Sequence, residues 1–82
     1  MSKTIQLDLA KDYYKSGAIT DVAIVCSESE FSWKVQVTLL GDNVCYLAKA
    51  RSNTLKTYKS VNAAVNDAKQ IGVSETKVIF GS

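Results

Sequence analysis

The feature that most limits how this chain can fold is a helix with a clear start and a clear end, followed at once by a strand. The apolar residues of this helix recur at i, i+3, i+4, i+7 and i+10, the spacing of one stripe on an α-helix. They are Val61, Ala64, Val65, Ala68 and Ile71. Ser60 can cap the first turn, and Gly72 can end the last one because glycine adopts positive φ freely. The alternating, β-branched segment 76–80 then predicts the strand.

A shorter helix is predicted near the start of the chain, over residues 5–16, and Gly17 ends it. Thr4 is its candidate N-cap. The apolar stripe of this helix consists of Leu7, Ala10 and Tyr14, widened by Leu9 and Tyr13. The opening Ile-Gln-Leu-Asp-Leu also alternates as a strand would, so the pattern there fits either structure.

Three strands are predicted between the two helices, over residues 19–27, 31–40 and 44–51. Each alternates with the period of two expected of a strand that has one buried face. The Gly-Asp-Asn sequence at residues 41–43 tolerates the positive φ of a tight hairpin turn. In the third strand the charges of Lys49 and Arg51 are expected to face water. The residues then expected to face inward are Val44, Tyr46, Ala48 and Ala50.

The order of elements predicts how the strands are arranged. A helix that joins the third strand to the fourth returns the chain to the end it left, so the fourth strand runs parallel to the third and to the first. Pairing beside the first strand gives the spatial order 4-1-2-3. We therefore predict an α+β fold, a single two-layer domain over residues 1–82 with the order α-β-β-β-α-β. Its sheet is four-stranded and mainly antiparallel, and both helices lie on one face.

Composition indicates an ordinary globular protein, since 46% of the residues are hydrophobic, 22% are charged and the net charge is only +2. The wholly apolar run at residues 22–26, which no other run exceeds in length, is too short to cross a bilayer, and the start of the chain lacks the apolar core of a signal peptide. We expect a cytoplasmic protein without membrane contacts. Cys26 and Cys45 are then reduced thiols, and the alternative is a cross-strand disulfide between them.

No constellation of residues points to an enzyme. The chain has no histidine, which removes the most common general base and metal ligand, and it contains no phosphate-binding, dinucleotide, zinc-protease or EF-hand motif. Glu28 and Glu30 are two residues apart in a predicted connection, where both are expected to be solvated. We therefore expect no catalytic residue, no metal, no cofactor and no small-molecule substrate.

The uncovered face of the predicted sheet is the candidate binding surface. Its basic candidates for contact with nucleic acid or another partner, extended by the following connection, are Lys34, Lys49, Arg51, Lys56 and Lys59. Such side chains can contact phosphates, although lysines also keep an open sheet soluble and block edge pairing. Leu40 and Leu47 would expose apolar surface on the same face and are the candidates for self-association. A few scattered exposed apolar residues are equally normal.

Two families share features with this chain. The α-β-β-β-α order resembles the double-stranded-RNA-binding domain, but the second helix here opens Ser-Val-Asn-Ala-Ala instead of with lysines, and a further strand follows it. Most of the chain resembles the small ParC-type partition-associated proteins of plasmids and integrated elements. The matching positions are Tyr58, Ser60, Val61, Asn62, Ile71, Gly72 and Val73, with Arg51 in the third strand.

The ParC-type resemblance implies a shared architecture and no defined active site. Together with the residue patterns, it leads us to expect a non-enzymatic accessory protein of a plasmid or mobile element. Such a protein would act through contacts with another protein, with itself or with DNA. The alternative is a nucleic-acid-binding module that uses a basic sheet face.

Overall fold

A computed structural model describes residues 3–27, 32–49 and 54–80. These residues form β1 (Lys3–Ile5), α1 (Leu7–Lys15), β2 (Ile19–Ser27), β3 (Ser32–Leu39), β4 (Asn43–Leu47), α2 (Val61–Ile71) and β5 (Lys77–Phe80). The strands make one mixed sheet in the order β1-β4-β3-β2-β5. β1 pairs with β4, and β5 with β2, in parallel, whereas β3 is antiparallel to both of its neighbours. The predicted α+β domain is confirmed.

The sheet is larger and more mixed than predicted. The four predicted strands have the predicted order, and the last runs parallel to the first as expected. The prediction of a mainly antiparallel four-stranded sheet is nevertheless only partly correct, because β1 adds a fifth strand and a second parallel pairing. Thr4 lies within β1 and does not cap α1, whose N-cap position is Gln6. The alternation at the start of the chain therefore belongs to a strand that runs directly into a helix.

One face of the sheet carries the core. Its four largest fully buried side chains are Ile24, Val35, Val37 and Leu47. Both helices lie against this face and contribute three fully buried alanines, Ala10, Ala64 and Ala68, to the same cluster. Because alanine has only a methyl side chain, each helix can lie close to the sheet and to the other helix. The predicted placement of both helices on one face is therefore correct.

The helix α2 begins and ends at the residues that the sequence predicted. The Ser60 hydroxyl accepts a hydrogen bond from the Ala63 amide at 3.3 Å, and Gly72 ends the helix with a φ of 131°. A Cβ at Gly72 would also lie 2.8 Å from two ring carbons of Tyr14. Tyr14 therefore packs across the end of α2 instead of forming the apolar stripe of α1. Leu9, the other predicted stripe residue that the structure leaves outside the core, is 44% exposed.

The predicted inward face of β4 is wrong. Cys45 and Leu47 are buried in the core, whereas Val44 is 40% exposed and Tyr46 is only partly buried. Ala48, which was also predicted to face inward, is buried but lies beyond the end of β4. The prediction assigned the inward face of this strand by assuming that Lys49 and Arg51 belong to it and face water. β4 ends at Leu47, so Lys49 lies beyond the strand. Arg51, the other charge, and Ala50 lie outside the described residues. A charge beyond the end of a strand says nothing about which side chains of that strand face water.

Segment 54–58, predicted as a plain connection, is held between β3 and β4 where those two strands separate. Tyr58 exchanges backbone hydrogen bonds with Trp33 of β3, at 2.8 and 3.0 Å. The Lys56 amide donates to the Leu47 carbonyl at 3.0 Å, and the Lys49 amide donates to the Thr54 carbonyl at 2.9 Å. The segment therefore satisfies backbone groups on both strands, as a short extra strand would.

The remaining predictions concern the turn, the thiols and the membrane. Gly41 and Asp42 have φ values of 81° and 61°, as predicted for the hairpin turn. Cys26 and Cys45 are free thiols, and β3 lies between the strands that carry them, so the cross-strand disulfide is absent. Neither helix in the described part of the chain has the length and apolar content needed to cross a membrane.

Candidate contact surface

The face of the sheet opposite the helices is the candidate contact surface, and no helix of the described residues covers it. We call it the open face. Strand register and alternation place on it Thr4, Asp21, Ala23, Val25, Lys34, Gln36, Thr38, Val44, Tyr46, Lys77 and Ile79. Leu40, the residue after β3, continues the phase of Gln36 and Thr38.

The centre of the open face is polar. Ala23 is in register with Gln36 on one side and with Lys77 on the other, and it is only 1% exposed. The Tyr46 hydroxyl lies 3.4 Å from the Gln36 side-chain oxygen, to which it donates a hydrogen bond. Lys77 forms an ion pair with Asp21, with 2.8 Å between Nζ and Oδ2. The positive charge of Lys77 is thus offset within the face.

The ends of the open face are apolar. At the hairpin end Leu40 is 60% exposed and Val44 is 40% exposed. At the other end Ile79 is 37% exposed, beside the partly buried Val25. Water contacts these side chains directly, and a partner that covered them would gain roughly 25 cal/mol for each Å² of apolar surface buried.

The two self-association candidates lie in different places. Leu40 lies one residue beyond β3 and is 60% exposed at the hairpin end. Leu47 is 1% exposed and packs in the core, so the expectation that it lies on the open face is wrong. The cause is the inverted phase of β4, which also puts Cys45 in the core. Val44, which was predicted to face inward, is exposed at the same end of the sheet as Leu40.

The predicted basic residues do not form one patch. Lys34 lies on the open face and is partly buried, while Lys49 and Lys59 are exposed outside the strands. Lys56 forms an ion pair with Asp67 of α2, 2.8 Å from Nζ to Oδ2, so it lies on the helix side of the sheet. Its predicted place in an open-face patch is wrong. Arg51 lies outside the described residues.

A polar cluster that the sequence interpretation missed lies on the helix side. Asp67 Oδ2 accepts a hydrogen bond from the Tyr58 hydroxyl at 2.5 Å and another from Lys56 Nζ at 2.8 Å. Lys56 Nζ also lies 5.1 Å from the centre of the Tyr58 ring. The two-residue spacing of Lys56 and Tyr58 could have revealed it, because that spacing puts both on one side of an extended segment.

The electrostatics of this cluster favour a structural role. Burial of Tyr58, then its hydrogen bond to Asp67 and the negative charge of that carboxylate, raise the pKa of the Tyr58 hydroxyl far above its ordinary value. A phenol so strongly held in its protonated form is a poor acid or base near neutral pH. The cluster therefore fastens segment 54–58 to α2.

A cleft of about 220 Å³ lies beside this cluster, between the start of α1 and α2, and Gln6, Asp8, Lys56 and Asp67 contribute to its walls. Asp67 Oδ2 already accepts two hydrogen bonds from within the chain. Within the described part of the chain, no group of three or more histidine, cysteine or acidic side chains is placed to hold a metal ion. The open face is therefore the better candidate for function.

Comparisons with known proteins add no relative from which a function could be carried over. No protein-family model, no curated protein and no solved structure matches this chain.

Proposed function

We propose that this chain is a non-enzymatic binding protein and that the open face is its contact surface. The observation that carries the proposal is the exposure of Leu40 and Val44, both at the hairpin end of a sheet face that no helix of the described residues covers. Exposed apolar residues that adjoin polar ones are typical of surfaces that contact another protein.

A protein partner fits this face better than nucleic acid does. Binding to a nucleic-acid backbone relies on several cations that contact phosphates together. Among the described residues of the open face, Lys77 is paired with Asp21 and Lys34 is the other cation, while Lys56 lies on the opposite side of the sheet. Most of the other side chains are uncharged, and Tyr46 is of a residue type that is enriched at protein interfaces.

The proposed process is the partition or maintenance of a plasmid or mobile element, and its support is the resemblance to ParC-type proteins. The residues that carry the resemblance have structural roles here. Ser60 and Gly72 begin and end α2, Ile71 is in the core, and Tyr58 is bonded to Asp67. They support a shared architecture, and the open face supplies the proposed contact.

Site-specific photo-crosslinking in the cells that express the protein tests this proposal. A photoreactive residue at Val44 should give a discrete product with another protein, and Leu40→Glu should reduce that product at least several-fold. The matched control is a photoreactive residue at Leu9, an exposed leucine on α1 that should give no such product.

Two results would contradict the proposal. One is equal crosslinking from Val44 and Leu9. The other is binding of a labelled DNA duplex that weakens steeply with added salt and is lost in Lys34→Glu, because this would establish the nucleic-acid alternative.

A further inference from the structure

The strand β5 forms one edge of the sheet, and its apolar side chains are exposed on both faces. Val78 is in register with Ile24 of the core, so it lies on the helix side, yet it is 39% exposed. Ile79 is in register with Val25 on the open face and is 37% exposed. An edge strand presents unpaired backbone groups to the solvent, and here aliphatic side chains flank them on both sides.

β5 has less of the protection that is usual at an edge strand than the opposite edge has. Proteins block such edges with proline, charged side chains (lysine above all), bulges or very short strands. The chain has no proline, and the single charge of β5, on Lys77, is paired with Asp21 of the same chain. The opposite edge differs, because β1 has three residues, of which Lys3 is exposed and Ile5 is 5% exposed. Of the two edges, β5 is the one suited to pairing.

We propose that β5 pairs antiparallel with β5 of a second copy of the chain, about a two-fold axis perpendicular to the sheet at Ile79. Ile79 then lies opposite its counterpart on the open face, and Val78 lies opposite the register position of Phe80. The two Lys77 positions are about 14 Å apart along the strands. A parallel pairing in the same register would instead set lysine beside lysine, which is destabilising.

This symmetry makes the pairing self-complementary. Rotation about an axis perpendicular to the sheet keeps both helical layers on one side, so the two open faces join into one surface. The pairing also supplies partners to outward-pointing backbone groups of β5, which an isolated side-chain contact would not do. The contact is short, within the class of interfaces below about 1,200 Å², so we expect a dimer that dissociates on dilution.

Sedimentation equilibrium from about 1 µM to about 1 mM tests the pairing. The average mass of the wild type should rise from one chain toward two. Ile79→Lys places two like charges across the axis and should keep the mass at one chain throughout. Leu40→Lys is the matched control, since it makes the same change at an exposed residue far from β5, and it should still dimerise.

A second measurement does not depend on any variant. The amide protons of β5 that point away from β2 should exchange more slowly at high protein concentration than at low concentration. The variant Ile79→Thr, which keeps a β-branched side chain, should weaken the dimer several-fold while the thermal melt remains cooperative.

The proposal is overturned by a wild type that stays at one chain, by masses that rise beyond two, or by loss of the dimer in Leu40→Lys but not in Ile79→Lys. None of these results bears on crosslinking from Val44. Failure of this proposal is therefore distinguishable from failure of the proposed function.

Discussion

At the scale of single residues, one carboxylate oxygen joins three parts of the structure. Asp67 Oδ2 binds both the Tyr58 hydroxyl and Lys56 Nζ, so α2, segment 54–58 and, through the backbone of Tyr58, β3 are connected. Hydrogen bonds to charged groups typically contribute about 1.5–3 kcal/mol. The side chain of Asp67 is 14% exposed, so solvent weakens these interactions little.

The raised pKa of Tyr58 predicts that the protein loses stability in alkali. The folded state keeps the phenol proton, while the unfolded state releases it above pH 10 or so, where the unfolded state binds fewer protons. This contribution is therefore fully present below that pH and is lost as pH rises further. Between about pH 8.5 and pH 11 the free energy of unfolding should fall by roughly 1.4 kcal/mol more in the wild type than in Tyr58→Phe, and most of this difference should develop above pH 10 or so.

Urea denaturation between about pH 8.5 and pH 11 measures this difference in slope. Tyr46→Phe is the matched control, because it removes a hydroxyl that is bonded to an uncharged amide and leaves the Tyr58 cluster intact. The control should therefore keep the slope of the wild type. Equal slopes for the wild type and Tyr58→Phe would contradict the prediction.

At the scale of elements, α2 depends on small residues where it meets the sheet and α1. Ala64 is fully buried, whereas its neighbour Ala63 is exposed. Ala64→Leu should destabilise the fold by about 1–3 kcal/mol, because the added carbons have no space. Ala63→Leu makes the same change on the solvent side and should alter stability by no more than about 0.5 kcal/mol.

The free energies of unfolding of both variants, measured in urea, check this prediction. Leucine and alanine are both good helix formers, so the difference between the two sites reports packing and not helix propensity. Similar stabilities for Ala63→Leu and Ala64→Leu would show that the side of α2 on which Ala64 lies is not closely packed.

Elements with strong local patterns were predictable from the sequence. The strand β2 begins and ends at the predicted residues, and α2 has the predicted cap, stripe and end. β1 and segment 54–58 were not predictable in the same way, because three to five residues carry too little periodicity. Their structure depends on backbone partners, such as Leu47 and Trp33, that are distant in sequence.

At the scale of the whole molecule, the direction of the fourth predicted strand followed from the rule that a helical crossover returns the chain parallel to the strand it left. Pairing that strand beside the first one then gave the observed order of the four strands. The candidate contact surface was harder to predict, since one wrong phase in β4 exchanges every side chain between the two faces. This is why the sequence placed Leu47 outside and Val44 inside, the reverse of what is observed.

Leu47 and Leu40 should respond oppositely to the same substitution. Leu47→Glu buries an unpaired charge, whose free-energy penalty of several kcal/mol is comparable to the whole stability of a domain this small. We expect Leu47→Glu to be unfolded by circular dichroism and Leu40→Glu to be folded with a wild-type spectrum. A folded Leu47→Glu would contradict the placement of Leu47 in the core.

The near-complete burial of Ala23 has a consequence for the shape of any partner. The long side chains of Gln36 and Lys77 flank the Ala23 methyl group on either side. A partner therefore cannot contact this methyl group without disturbing the Lys77–Asp21 ion pair. The apolar residues that it can reach are Val44 at one end and Ile79 at the other. They are separated by about four residues along the strands, or ~13 Å, and by three strand spacings across the sheet, or ~14 Å, which makes roughly 19 Å in all. A complementary partner would therefore contact the apolar residues at both ends of the open face and span its polar centre.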